Sequence, residues 1–114
     1  MELTEKKVAD TLIVSISGRL ETSSTLIVDK KINQRIDEGE RRIVINLSKL
    51  EYMSSSGLRL FLGIGKRLKQ EGGAFALSGV PDHQLELIEI THLDQVVSIF
   101  ASDGDAIIGI SKEK

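Results

Sequence analysis

The sequence predicts an α/β fold: a mixed, mainly parallel sheet of four or five strands flanked by about four helices, in the order β-β-α-β-α-β-α-β-α. Three observations lead there. The run Ile43-Val44-Ile45 is β-branched and too short for a helix, so it reads as a strand covered on both faces. Leu58, Phe61, Leu62, Gly65 and Leu68 fall at helical spacing, so the period changes from strand to helix between Tyr52 and Leu58. An opening pair of strands is then followed by alternating helix and strand, which implies parallel pairing through right-handed crossovers. With 114 residues and no internal repeat, low-complexity segment or linker, residues 1–114 read as one domain.

Residues 2–9 alternate weakly and suit an edge strand. Leu12, Val14 and Ile16 alternate with Ile13 and two serines in a second strand, and Ala9-Asp10-Thr11 is the tight turn between them. Gly18-Arg19-Leu20-Glu21 leaves that strand, and Thr22, Ser23 and Ser24 are available to cap a helix running to about Glu38, stopped by Gly39. Val28, Ile32 and Ile36 form its apolar stripe, opposite Asp29, Lys30, Lys31, Gln34 and Arg35. The central strand spans 42–47, a short connection follows, and a second helix covers about Ser56–Gln70. Ala74–Ser78 is a short strand broken by Gly79-Val80-Pro81. Asp82 can cap a third helix, His83–Ile90, with Leu85, Leu87 and Ile88 inward. Val96, Val97 and Ile99-Phe100 suggest a last strand, Asp103–Ile110 a terminal helix, and Ser111-Lys112-Glu113-Lys114 a fraying tail.

Composition narrows the function. A net charge of −2 gives no basic footprint for nucleic acid. The absence of cysteine removes disulfides, thiolate chemistry and cysteine-rich zinc sites. No apolar run approaches the ~20 residues that span a bilayer, and the first residues lack the apolar core of a signal peptide. A soluble cytoplasmic protein is the expectation. Scarce aromatics leave the core to Ile, Leu and Val.

Most candidate chemistry reads as structure. His83 and His92 have no second ligand at useful spacing and read as surface residues, so no metal site is expected. Gly63-Ile64-Gly65-Lys66 lies inside the second helix, whereas a phosphate-binding loop must precede one; small residues for close helix–sheet packing are the better account. Glu21, Glu51, Asp82 and Asp94 form no acid–base pair. A nucleophile elbow needs a glycine two residues before its serine, and Tyr52-Met53-Ser54-Ser55-Ser56-Gly57 lacks it. Neither a catalytic residue nor a cofactor is expected, which argues against an enzyme.

Ser54, Ser55 and Ser56 remain. They sit where strand gives way to helix, as caps or as something chemical. A serine there suits an N-cap. It also suits a regulatory hydroxyl, because a phosphate would lie near the free amides of the helix start and add roughly −1.5 to −2 charges to the surface.

The stretch Leu47-Ser48-Lys49-Leu50-Glu51-Tyr52-Met53-Ser54-Ser55-Ser56-Gly57-Leu58-Arg59 resembles the signature of the STAS domain family, specifically the small bacterial anti-sigma factor antagonists. Gly18-Arg19-Leu20-Glu21 resembles the family's Gly-x-Leu-Asp loop. Gly72-Gly73 before a strand, and Thr91-His92-Leu93-Asp94 leading into Val96-Val97, also match, so the similarity extends over nearly the whole chain. The resemblance implies a partner switch. The unphosphorylated antagonist binds an anti-sigma factor that is also a serine kinase, which releases a sigma factor; ATP-dependent phosphorylation of a serine at the start of the second helix ends the binding, and a phosphatase resets it. By position the acceptor is Ser55, with Ser54 and Ser56 the alternatives. Ser54 and Glu21 stand where the family often has Asp. The implied partner surface comprises Glu21, Thr22, Ser23, Met53, Ser54, Ser56, Gly57, Leu58 and Arg59, the loop from Gly18, and an exposed Leu60 or Ile64. A monomer or weak dimer without direct nucleic-acid contact or membrane insertion is expected. A non-switching STAS adaptor in a transport or signalling complex is the rival, and the intact serine-glycine-leucine motif speaks against it.

Overall fold

The computed structural model describes residues 1–95 and 97–111. Its elements are β1 (Glu2–Val8), β2 (Thr11–Leu20), α1 (Thr22–Asp37), β3 (Arg42–Met53), α2 (Ser55–Gln70), β4 (Ala74–Ser78), α3 (Asp82–Ile90), a 3-10 turn (Leu93–Gln95), β5 (Ser98–Phe100) and α4 (Asp103–Ser111). The strands form one five-stranded sheet in the order β1-β2-β3-β4-β5. β1 pairs antiparallel with β2, and every later pairing is parallel. This is the α/β class and element order read from the sequence.

Strand order explains the layering. Each parallel strand docks beside its predecessor, so crossovers of one hand return on the same side of the sheet. One apolar cluster accordingly joins Val28, Ile32 and Ile36 of α1, Phe61 and Leu68 of α2 and Ile88 of α3 to Leu12, Val14, Ile43 and Ile45 of the sheet. The opposite face carries a smaller cluster, in which Ile13, Val44, Ala74 and Ala76 meet Ala106 and Ile110 of α4. Ile43, Val44 and Ile45 are all fully buried, two toward one layer and one toward the other, as the unbroken apolar run required.

The strands run further than the pattern suggested. β2 continues through Gly18-Arg19-Leu20, and β3 continues through the supposed connection to Met53, paired along Ser17↔Lys49 and Leu20↔Met53. Register shifts between Ser15 and Ser17 and between Gly18 and Arg19 break the alternation. Burial in the β3 extension then recurs at Leu47, Leu50 and Met53, a spacing of neither strand nor helix. Helix starts also differ by a residue or two. Glu21, not Thr22, Ser23 or Ser24, is the N-cap of α1; Ser24 reaches back as an acceptor for the Glu21 amide at 2.8 Å. Pro81 is the N-cap of α3, and Asp82 is its first helical residue. β5 is only Ser98–Phe100. Val97 precedes it and is buried, and Val96 lies outside the described residues, as do residues 112–114 of the expected tail.

One end of the helical layer is held by charge. Arg35 donates from Nε to Glu5 Oε1 at 2.7 Å and from Nη1 to Glu38 Oε1 at 2.7 Å. The hydrogen bond and charge of Arg35, with a further contribution from the Lys31 charge, hold the Glu5 carboxyl below the usual glutamate range against a smaller opposing effect of burial. Arg67 of α2 donates to Asn33 Oδ1 and to Glu71 Oε2, each at 2.7 Å, and to Asp37, clasping α1 to α2.

Candidate functional site

The site lies at the carboxyl ends of the parallel strands, where open α/β sheets place their working groups. The Ser54 amide donates to the Leu20 carbonyl at 2.9 Å, tying the start of α2 to the end of β2. Gly57 completes the junction: a Cβ there would stand 2.6 Å from Met53 Cγ and 3.1 Å from Leu20 Cδ2, so glycine lets α2 approach this closely without displacing those side chains. The starts of α1 and α2 lie side by side, with Thr22 Oγ1 3.2 Å from Ser56 Oγ.

This packing gives the three serines different circumstances. Ser54 is the N-cap of α2 by backbone geometry, but its side chain makes no capping bond; its Oγ is buried without a hydrogen-bond partner among the described residues. Ser56 is half-buried and engaged with Thr22. Ser55, the first helical residue, is exposed, and its hydroxyl has no partner among the described residues.

Beside Ser55 runs a groove of about 470 Å³ between α2 and the connection after α3. Leu58, Leu62 and Leu93 supply its apolar surface, and Ser55, Arg59, Lys66, Thr91, His92 and Gln95 its polar lining. No carboxylate lines it among the described residues. His92 stands at φ +61°, a left-handed conformation that ends α3 where glycine or asparagine is usual, and its ring lies 3.4 Å from Gln95 Nε2. Arginine pairing sets the groove apart. Arg19, Arg35, Arg41, Arg42 and Arg67 each hold a carboxylate, whereas Arg59 has no ion pair among the described residues.

The implied partner residues therefore divide. Glu21, Thr22, Ser23, Ser55 and Arg59 are exposed, and Ser54 and Ser56 are half-buried; Ser56 meets Thr22, while Ser55 and Arg59 line the groove. Met53 and Gly57 are buried and form the junction beneath, and Leu58 is 8% exposed at the groove. Leu60 and Ile64 are not exposed, contrary to expectation: at 8% and 2% they belong to the core, because the helix turns them onto the sheet. Of the internal glycines, Gly65 does permit close packing, against Val97 and Phe75, while Gly63 faces open space. Sequence reasoning did not find the second wall of the groove, Thr91–Gln95. His83 and His92 are both surface residues, and no group of potential metal ligands occurs among the described residues. None of the described helices is long and apolar enough to cross a membrane.

The STAS domain model matches residues 2–106. This chain belongs to the STAS domain family. BtrV of Bordetella bronchiseptica is 34% identical over 91 residues, covering 80% of this chain and 78% of that protein. The anti-sigma F factor antagonist of Paenibacillus polymyxa is 30% identical over 97 residues, covering 84% and 83%. The anti-sigma-B factor antagonist of Bacillus subtilis is 30% identical over 88 residues, covering 77% and 80%. Among solved structures, TM1081 of Thermotoga maritima superposes with a TM-score of 0.91 at 23% identity, covering 96% and 95% of the two chains. Unphosphorylated SpoIIAA, an anti-sigma factor antagonist, superposes with a TM-score of 0.77 at 19% identity, covering 99% and 100%. The chain thus has the STAS fold, and its homologues are anti-sigma factor antagonists.

Proposed function

We infer that this STAS domain is an anti-sigma factor antagonist whose partner binding is ended by phosphorylation of Ser55. The observation that carries the reading is the inequality of the three serines: Ser55 alone offers an exposed hydroxyl without a partner among the described residues, at the rim of a groove. Family membership and the names of the homologues support the class of partner, an anti-sigma factor; that this partner is also a serine kinase is part of the reading. SpoIIAA, of the same fold, has also been solved in a phosphorylated form.

Unphosphorylated, the surface of Glu21, Thr22, Ser23, Ser55 and Arg59 binds the partner, and a sigma factor is released to direct transcription in the cytoplasm. The partner then transfers the γ-phosphoryl group of ATP. A bond forms between Ser55 Oγ and phosphorus, the bond to the β-phosphate oxygen breaks, ADP leaves, and the hydroxyl proton passes to a base of the kinase. The new charge must be desolvated against the partner, which weakens binding without unfolding the domain. A phosphatase restores the hydroxyl.

The test is intact-mass and peptide-mapping analysis after incubation with the cognate kinase and ATP. One phosphate on Ser55 is expected; none, or one mapping to any other residue, Ser54 and Ser56 included, overturns the reading. Ser55→Asp should weaken partner binding on the order of 100-fold, the equivalent of about 3 kcal/mol, and Ser55→Ala should leave binding intact but no longer released by ATP.

A further inference from the structure

We propose that a phosphate on Ser55 is held within the domain by Arg59, so that modification withdraws the groove's free guanidinium as well as adding negative charge. The proposal rests on the reading of Ser55 as the phosphorylated residue. Its basis is separate: the groove, and the pairing of every other arginine.

Ser55 and Arg59 are four residues apart on α2, the spacing that puts two helical side chains on one face within reach of each other. Both line the same groove. Arg59 is exposed and has no carboxylate partner among the described residues, so turning toward a phosphate breaks no ion pair. The other charged or titratable groups lining the groove among the described residues are Lys66, further along α2, and His92, on the connection after α3; Asp94 of that connection is exposed and is not one of the lining residues. Arginine's planar fork matches two phosphate oxygens at once, which the single ammonium of Lys66 does not. An unmodified hydroxyl offers Arg59 no charge, so the side chain is free for a partner in one state and engaged internally in the other. Phosphorylation thus alters the partner surface at two positions, Ser55 and Arg59.

The experiment installs phosphoserine at position 55 during translation, so it needs no kinase, and follows the phosphate by phosphorus NMR as pH is varied. A free phosphoserine takes up its second proton near about pH 6. With Arg59 present, the midpoint should lie about one pH unit lower than in the Arg59→Gln protein, because the guanidinium favours the dianion. Lys66→Gln and His92→Gln should each move it less. Arg59 is exposed, so Arg59→Gln removes no core contact. Equal midpoints with and without Arg59, or a larger shift on losing Lys66 or His92, overturn the proposal. The kinase assay on the unmodified protein stands apart: it can fail while the midpoint shift is found, and the reverse.

Discussion

The two ends of α2 follow opposite rules. At its carboxyl end Arg67 engages Asn33, Asp37 and Glu71, the Gly73 amide donates to the Leu68 carbonyl at 2.7 Å, and Gly73 lies against the Arg41 carbonyl where no Cβ fits. At its amino end Ser54 caps without its side chain, Ser55 is unbonded among the described residues, and Arg59 pairs with nothing there. Polar groups fixed in internal pairs stabilise one arrangement and are unavailable for anything else. Groups left unpaired at the surface contribute little to stability but can meet a partner. One helix thus joins a structural end to a functional one.

Gly73→Ala should give the largest effect. The added Cβ meets backbone rather than a movable side chain, and a loss of about 2–3 kcal/mol in urea unfolding is expected. Gly57→Ala, the matching change at the amino end, meets the Met53 side chain, which can turn aside; a loss of about 1 kcal/mol is expected. If the amino-end glycine proves the costlier of the two, that junction is the stiffer one and the contrast reverses. Arg67→Ala should lower the melting temperature by several degrees and Arg59→Gln should leave it unchanged; equal effects would erase the distinction between the two arginines.

A second internal pair, between β1 and α1, gives stability a pH dependence of definite sign. Glu5 has a lower pKa folded than unfolded, chiefly through Arg35. The ion pair's contribution is therefore present above the usual glutamate range and lost as pH falls through the lower folded value. Thermal melts of the unaltered protein and Glu5→Gln should differ near neutral pH and converge in acid; parallel curves would show that Glu5 is not responsible. Apart from Arg59→Gln, the smallest effect should come from Ser54→Ala. A serine N-cap is commonly worth about 1 kcal/mol, but Ser54 makes no side-chain capping bond, so a change within about 0.5 kcal/mol is expected.

The sequence disclosed elements wherever a single period governed burial. Val28, Ile32 and Ile36 repeat every fourth residue and mark α1, and Ile43-Val44-Ile45 marks a strand between two layers. It failed at the extensions of β2 and β3, because register shifts there replace alternation by burial at Leu47, Leu50 and Met53. At the site, the motif located the serines but could not rank them. Their ranking depends on Thr22 and Leu20, which lie far away in sequence. Leu60 and Ile64 looked available because the face α2 turns to the sheet is broad, and a helical period alone does not fix its edges. The groove was invisible because Thr91–Gln95 carries no periodic signal and reaches α2 only through the crossover.

The strand order also bears on how the domain assembles. Each parallel strand of this sheet docks on the strand that precedes it in the chain, so no pairing skips over a strand. Each closure still spans a crossover helix, as Leu12↔Ile43 does, so the parallel pairings should form more slowly than the β1–β2 hairpin. The last element, α4, covers the face the three crossover helices leave bare. Until it docks, Ile13, Val44, Ala74 and Ala76 lack the cover of Ala106 and Ile110, so one apolar face of the sheet stays open after its strands have paired.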